Sequence, residues 1–499
     1  MKFEHILFSA FTVLSFVLLT HHEPWRDEAQ AWLIVRDSPD FASMINLMGY
    51  EHTPALWHVV LFPFVKSGLP YSSMAYVHII LILMTVYLFI QYSPFSNLQK
   101  VLFVFGYYPL YEYNVIARSY VLSVLLLFLL AHAYGGRFKC PIYYSALLFL
   151  LANTNAYSLI ISIVFSGFYL GSMFHQRIPT ASTRHRVSLL IISAGFIVSV
   201  YQVMPPADLI PALVSRHFNL DGSGIIRALN GAFIPILSPQ VNFWGHLMLQ
   251  NPPYSYVGLI LFAVSVMFFI RSPAEMLAYL MSCLGLLCVF GFVYTGSLRH
   301  HGLIFILFVT LLWMTRTSKE SKKSNGRLIR FAISPRVVSL FLSTFFLLQI
   351  ISSPIAVYYE FNYDFSAGKR AAEFLETNNL LTNRTFIASH SPSVAVSSIL
   401  PYTPGYPRFY YIEYNDWRSF MLWNRDFAAN SNLPLSEVTS RLELATHGGG
   451  YDKVLVIDGG CRMSDDERYY PLAKFRDTIA GGEGICIYQL MSGDSNKEN

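Results

Sequence analysis

About eleven long apolar runs leave this chain one class of fold. A spanning helix needs about 20 apolar residues, because it rises about 1.5 Å per residue across roughly 30 Å of hydrocarbon. Such runs occupy residues 5–21, 71–90, 100–114, 118–134, 141–153, 156–174, 187–204, 254–271, 275–293, 302–315 and 337–356. Those at 100–114 and 141–153 are short, so they extend into their flanks or are broken. Only 13% of the chain is charged and 54% is hydrophobic, whereas soluble domains average about 25% charged. The expectation is an α-helical polytopic membrane protein of about eleven spans.

The charges between the runs test that reading. With a cytoplasmic N-terminus, alternate loops should carry Lys and Arg. The loops expected inside hold Lys100; Arg137 and Lys139; Arg177, Arg184 and Arg186; and Arg271. The last holds Arg316, Lys319, Lys322, Lys323, Arg327, Arg330 and Arg336 against one acid, Glu320. Loops expected outside are mixed in sign or nearly uncharged. The net charge of +5 is thus spread as topology signals and does not suggest a nucleic-acid partner. The first run leads into Glu23 and Pro24 without a small-residue cleavage site, so it reads as a signal anchor. Residues 55–66, with Trp57, His58 and Pro63, read as a helix lying in the interface. The expected location is the inner (plasma) membrane.

Three regions follow. Residues 1–356 form a transmembrane domain with juxtamembrane helices in 22–70 and an outer loop at 205–252. Residues 357–491 form a soluble extracytoplasmic domain, and 492–499 read as a disordered tail. The soluble part alternates helix-like stretches (SAGKRAAEFLETNN, PLSEVTSRLELATHG) with strand-like ones (TFIAS, RFYYIEY, KVLVID, GICIYQL). That order predicts an α/β domain with a largely parallel sheet. It lacks GxGxxG after its first strand, so no nucleotide fingerprint is present. Of the five cysteines, Cys140, Cys283 and Cys288 lie in or beside apolar runs. Cys461 and Cys486 are either a disulfide of an oxidising compartment or two free core thiols.

The outer loops concentrate the unusual polar residues. The first carries WRDEAQAW (25–32), then GYEHTPALWH with Glu51 and His52. The second reads YEYNVIARSY and supplies Tyr113, Arg118 and Tyr120. The fifth reads YTGSLRHHG and supplies Arg299, His300 and His301. A helix starting after Pro24 aligns Trp25, Ala29, Trp32 and Leu33 in one stripe, expected on the membrane surface. Asp27 and Glu28 then project about 100° apart, so one can face a site while the other braces the structure. The alternative is two solvated acids favouring a helix N-terminus. Arg118 and Arg299 either snorkel to lipid phosphates or bind a substrate phosphate through the guanidinium fork. The adjacent histidines suit hydrogen bonding or phosphate contact better than metal ligation. No HExxH spacing occurs.

These motifs resemble the GT-C superfamily of membrane glycosyltransferases, which includes protein O-mannosyltransferases and the bacterial aminoarabinose transferase, and within it a bacterial family 39-like branch. WRDEAQAW matches the acidic pair of the first outer loop. YNVIARSY (113–120) is similar to a Tyr-x-x-Glu-Ala-Arg-x-Tyr turn, with Ile116 where the acid is usual. The task of that acid falls here to Glu112 or Glu51. The resemblance implies sugar transfer, with inversion, from a polyprenyl-phosphate donor to an extracytoplasmic glycan, lipid or protein. In it Asp27 is the general base, with Glu28 secondary. Arg118, Arg299, His300 and His301 are donor-phosphate contacts; Glu51, His52, Tyr113 and Tyr120 are substrate contacts. The soluble domain and the 205–252 loop shape the acceptor pocket. No metal ligands are assigned, and a divalent-metal requirement stays open. Two rival classes are a polysaccharide (O-antigen) polymerase or ligase, whose signature lacks the acidic pair, and a transporter or flippase, which usually carries charge at mid-membrane.

Overall fold

The computed structural model describes residues 2–178, 182–209, 222–249, 254–317, 335–390, 393–461, 463 and 466–491. The tail 492–499, part of the 205–252 loop and most of the basic stretch after Arg316 lie outside the described residues.

Each apolar run is largely helical. Among the described residues six helices are long and apolar enough to cross a membrane: Ser73–Tyr92, Ala156–His175, Thr183–Val203, Pro273–Val293, Leu298–Thr317 and Arg336–Asn362. Phe3–Leu19, Tyr120–Gly136, Pro141–Ala152 and Tyr254–Met267 are shorter apolar helices, as is the expected interface helix Leu56–Lys66. The run at 100–114 is broken. Its helix Asn97–Val104 stops before Gly106, and a wide turn, Tyr108–Glu112, carries Pro109. Helix Leu298–Thr317 is the axis of the bundle, with 94% of its apolar window buried. The helix Ser223–Phe233, which sequence reasoning treated as loop, packs on that axis. Gly231 makes the approach possible, since a Cβ there would lie 2.6 Å from His301 Nδ1.

The last helix of the bundle runs to Asn362, past the boundary expected at 356. Beyond it lie six strands: β1 (Thr385–His390), β2 (Phe409–Tyr411), β3 (Asp416–Arg418), β4 (Lys453–Asp458), β5 (Tyr469–Phe475) and β6 (Ile485–Leu490). Their order is β3-β2-β1-β4-β6-β5. The largely parallel sheet is corrected here: only β1 with β2 and β1 with β4 run parallel, and the outer pairs are antiparallel. Helix Leu435–Thr446 covers one face through Val438 and Leu442. Helix Gly368–Thr377 covers the other through Ala371 and Leu375. Cys461 and Cys486 are disulfide-bonded, with Cα atoms 5.2 Å apart. The bond ties the turn after β4 to β6 and closes a loop worth roughly 3 kcal/mol.

One helix belongs to both halves of the molecule. Arg26–Asp37 buries Trp25, Trp32, Ile34 and Val35 in the membrane-domain core. It buries Ala29 and Leu33 in the core of the C-terminal sheet domain. The stripe expected on the membrane surface is therefore an inter-domain seam. Trp25 and Trp32 are 3% and 4% exposed, and Trp32 meets Tyr71 edge-on at 5.6 Å.

Candidate active site

The seam helix is held at both ends from a distance. Trp25, as N-cap, offers no capping oxygen, so the Glu28 side chain accepts the Trp25 N–H at 3.1 Å. Glu483, 457 residues away, accepts the Arg26 N–H at 3.3 Å and pairs with Arg26 Nε at 3.4 Å. A second acid thus sits on the positive helix end. Burial pushes the Glu483 carboxyl up to about 7, against the pull of Arg26. At the other end Lys66 donates to the carbonyls of Arg36 and Ser38. Mid-helix, Gln30 pairs with both the N–H and the C=O of Met421.

The first turn sets its two carboxylates in opposite surroundings. Glu28 is fully buried. Its Oε1 accepts the Ala117 N–H at 2.5 Å, and its Oε2 also meets His22 Nε2 at 3.1 Å. His22 Nδ1 meets Glu360 at 2.8 Å, and Tyr111 donates to Glu360 at 2.6 Å. Burial opposes a charge on His22, yet Glu28 and Glu360 hold its pKa at about 10. Glu28 therefore ties the 113–120 turn to the seam helix.

Asp27 is 28% exposed. Arg299 Nη2 donates to its Oδ2 at 3.3 Å, and Arg118 Nη2 lies 4.0 Å from the same oxygen. Arg118 Nη1 also donates to the Asp27 carbonyl. Oδ1 has only Arg26 Nε at 3.9 Å among the described residues, too long for a hydrogen bond. Arg118 and Arg299 each keep a buried Nε without a partner. The Arg299 guanidinium sits 5.0 Å from the Trp25 ring and 5.2 Å from the Trp244 ring. Three guanidinium groups converge on the Asp27 carboxylate, a setting suited to an anion. Among the described residues no group of three or more His, Cys, Asp or Glu could hold a metal ion.

Two crystal structures of ArnT from Cupriavidus metallidurans, one bound to undecaprenyl phosphate and one apo, align with this chain at a TM-score of 0.51 each. The chain shares the fold of these two structures. Identity is 11% for the bound structure and 12% for the apo one, over 98% and 97% of both chains respectively. No family model and no curated protein matches the sequence. On this scaffold the arginine cluster stands beside the seam helix.

The structure sorts the remaining candidates. Glu51 accepts from Gln30 at 2.7 Å; burial pushes its carboxyl up, while Gln30 and Arg118 pull it back. His52 ends helix Phe41–Glu51 in a left-handed conformation, φ 50°. It bonds to no member of the arginine cluster, and burial lowers its pKa. Tyr113 is buried, and its hydroxyl donates to the Arg299 carbonyl at 2.9 Å. His301 Nε2 bonds the Thr295 carbonyl at 2.9 Å, and Gly231 covers its ring. His300 accepts the Ser297 N–H at 2.8 Å on Nδ1, which leaves Nε2 as its proton carrier. Its ring stands edge-on to Tyr120 at 5.4 Å. Sequence reasoning missed His22, Glu360, Trp244 and Glu483, since nothing in their local sequence marks them.

Proposed function

We propose that this protein is a membrane glycosyltransferase that moves a sugar from a polyprenyl-phosphate donor to an extracytoplasmic acceptor. The carrying observation is the convergence of Arg118 and Arg299 on Asp27 from segments 91 and 272 residues away. The fold shared with a protein crystallised with undecaprenyl phosphate supports the class of donor. The two unpartnered Nε donors support an anion as the missing partner.

In this reading Asp27 Oδ1 takes the proton of the acceptor hydroxyl as the hydroxyl oxygen attacks the anomeric carbon. The bond from the anomeric carbon to the phosphate oxygen breaks, with inversion. The electron pair leaves on the lipid phosphate, where Arg118 and Arg299 meet the growing charge. Arrival of the phosphate also draws both guanidinium groups off Oδ2, so donor binding readies the base. His300 Nε2 and the Tyr120 hydroxyl are further donors on the Arg299 side. Glu28 braces this site and touches neither substrate. The acceptor is a glycan, lipid or protein hydroxyl, approaching along the soluble domain near Glu51.

The N-terminus is cytoplasmic and the C-terminal domain extracytoplasmic, supported by the charge alternation of the loops and by the disulfide. Purified protein in detergent, given a polyprenyl-phosphate sugar and envelope acceptors, should release polyprenyl phosphate. A transporter or flippase would release none. A reporter active only outside the cytoplasm, fused after Asn499, should be active, and one at Ser324 silent.

A further inference from the structure

Among the described residues of the 205–252 loop, Trp244 contributes its side chain to the arginine cluster. Leu237 and Leu247 pair antiparallel, and Ser238 N–H bonds the His246 carbonyl at 3.0 Å. The small hairpin so formed carries Trp244 near its tip, beside Gly245 at φ +93°. Three distant groups fix that indole. Its Nε1 donates to Glu112 at 3.1 Å, and Tyr107 holds the same carboxylate at 2.5 Å. Its ring meets Trp25 at 4.7 Å and Phe365 at 5.1 Å, both edge-on. Its backbone bridges Ala480 of the soluble domain.

So placed, Trp244 does two things to Arg299. With Trp25 it covers the guanidinium with aromatic surface, which attracts the cation and keeps water off it. It also engages Glu112, a buried acid whose charge Arg299 feels. We infer that Trp244 is a positioning residue for Arg299: it aims the guanidinium edge at the donor phosphate and withholds Glu112 as a competing partner. This rests on the donor-phosphate reading above. It also puts this hairpin on the donor side, whereas the resemblance implied an acceptor-side role for the 205–252 loop.

The test is binding of undecaprenyl phosphate to the purified full-length protein in detergent, with steady-state turnover alongside. Trp244→Leu should weaken binding about tenfold, between the exposed and the desolvated worth of a cation–π contact, and raise donor KM by a similar factor. Its kcat at saturating donor should stay within about threefold. Trp244→Phe keeps a ring face and should lose less than Trp244→Leu. Adding Glu112→Gln to Trp244→Leu should restore part of the affinity, because the released carboxylate no longer competes. Fluorinated tryptophans placed at position 244 keep the shape and weaken the ring face stepwise, so affinity should fall stepwise even if Trp244→Leu does not fold. Flat affinity across that series, or equal loss in the Leu and Phe variants, overturns the inference. Wild-type protein that binds no undecaprenyl phosphate breaks the donor reading beneath it.

Discussion

Two carboxylate clusters flank the first turn of the seam helix, and they are built in opposite ways. Glu28, His22, Glu360 and Tyr111 form a closed chain, buried and internally bonded. Asp27, Arg26, Arg118 and Arg299 form an open one. It is partly exposed, long in its contacts, and carries guanidinium donors without partners. A satisfied buried network stabilises a shape. A cluster with excess charge of one sign and unused donors is arranged for something that comes and goes. Adjacent residues of like chemistry thus divide between architecture and chemistry.

The sharpest way to break that division is to exchange the effects. Glu28→Ala removes an acceptor of several buried bonds and leaves His22 charged with one partner fewer. Loss of one partner from a buried ion pair costs about 3–5 kcal/mol, so thermal unfolding in detergent should shift strongly or the protein should not accumulate. Asp27→Asn keeps shape and volume. It should fold and bind donor normally, yet lose at least about 100-fold in turnover, the low end for general-base catalysis. A stable, inactive Glu28→Gln beside an active Asp27→Asn would reverse the assignment.

Much of this was legible because the membrane makes sequence patterns strict. The apolar runs mark the helices, and Arg118 and Arg299 stand out where topology needs no arginine. What failed to show has physical causes. Trp25 and Trp32 carry the interfacial signature of tryptophan, but the same amphipathic ring serves as well beneath a second domain. The strand β5 contains Pro471, a demoting signal in sequence, yet it is an edge strand with a register shift beside that proline. The strand β3 is three residues long and mostly exposed. His22 and Glu360 pair across 338 residues, and no local pattern announces a partner that far away.

Arg118 sharpens the open side of the comparison. Its fork meets Asp27 twice, at the carbonyl and near Oδ2. An ammonium has the charge without the planar fork. Arg118→Lys should therefore raise donor KM about tenfold, near 1.4 kcal/mol, with folding intact. Unchanged kinetics in this variant would return Arg118 to the snorkelling reading.

A further effect is read from the closed side by pH. The folded pKa of His22 is raised to about 10 from an ordinary 6.5 by Glu28 and Glu360, against burial. Between those values the folded state binds the proton and the unfolded state releases it. His22 therefore contributes stability in full below pH 6.5, and that contribution is lost as pH rises toward 10. One group can change stability by at most about 1.4 kcal/mol per pH unit. The wild-type unfolding midpoint should fall steadily from pH 7 to pH 10, and His22→Gln should start lower and fall less steeply. Other groups titrate in that range in both proteins, so the difference between the two slopes is the measurement. Parallel slopes would mean that His22 is neutral between its two carboxylates, and the closed cluster would lose the cation that joins its halves.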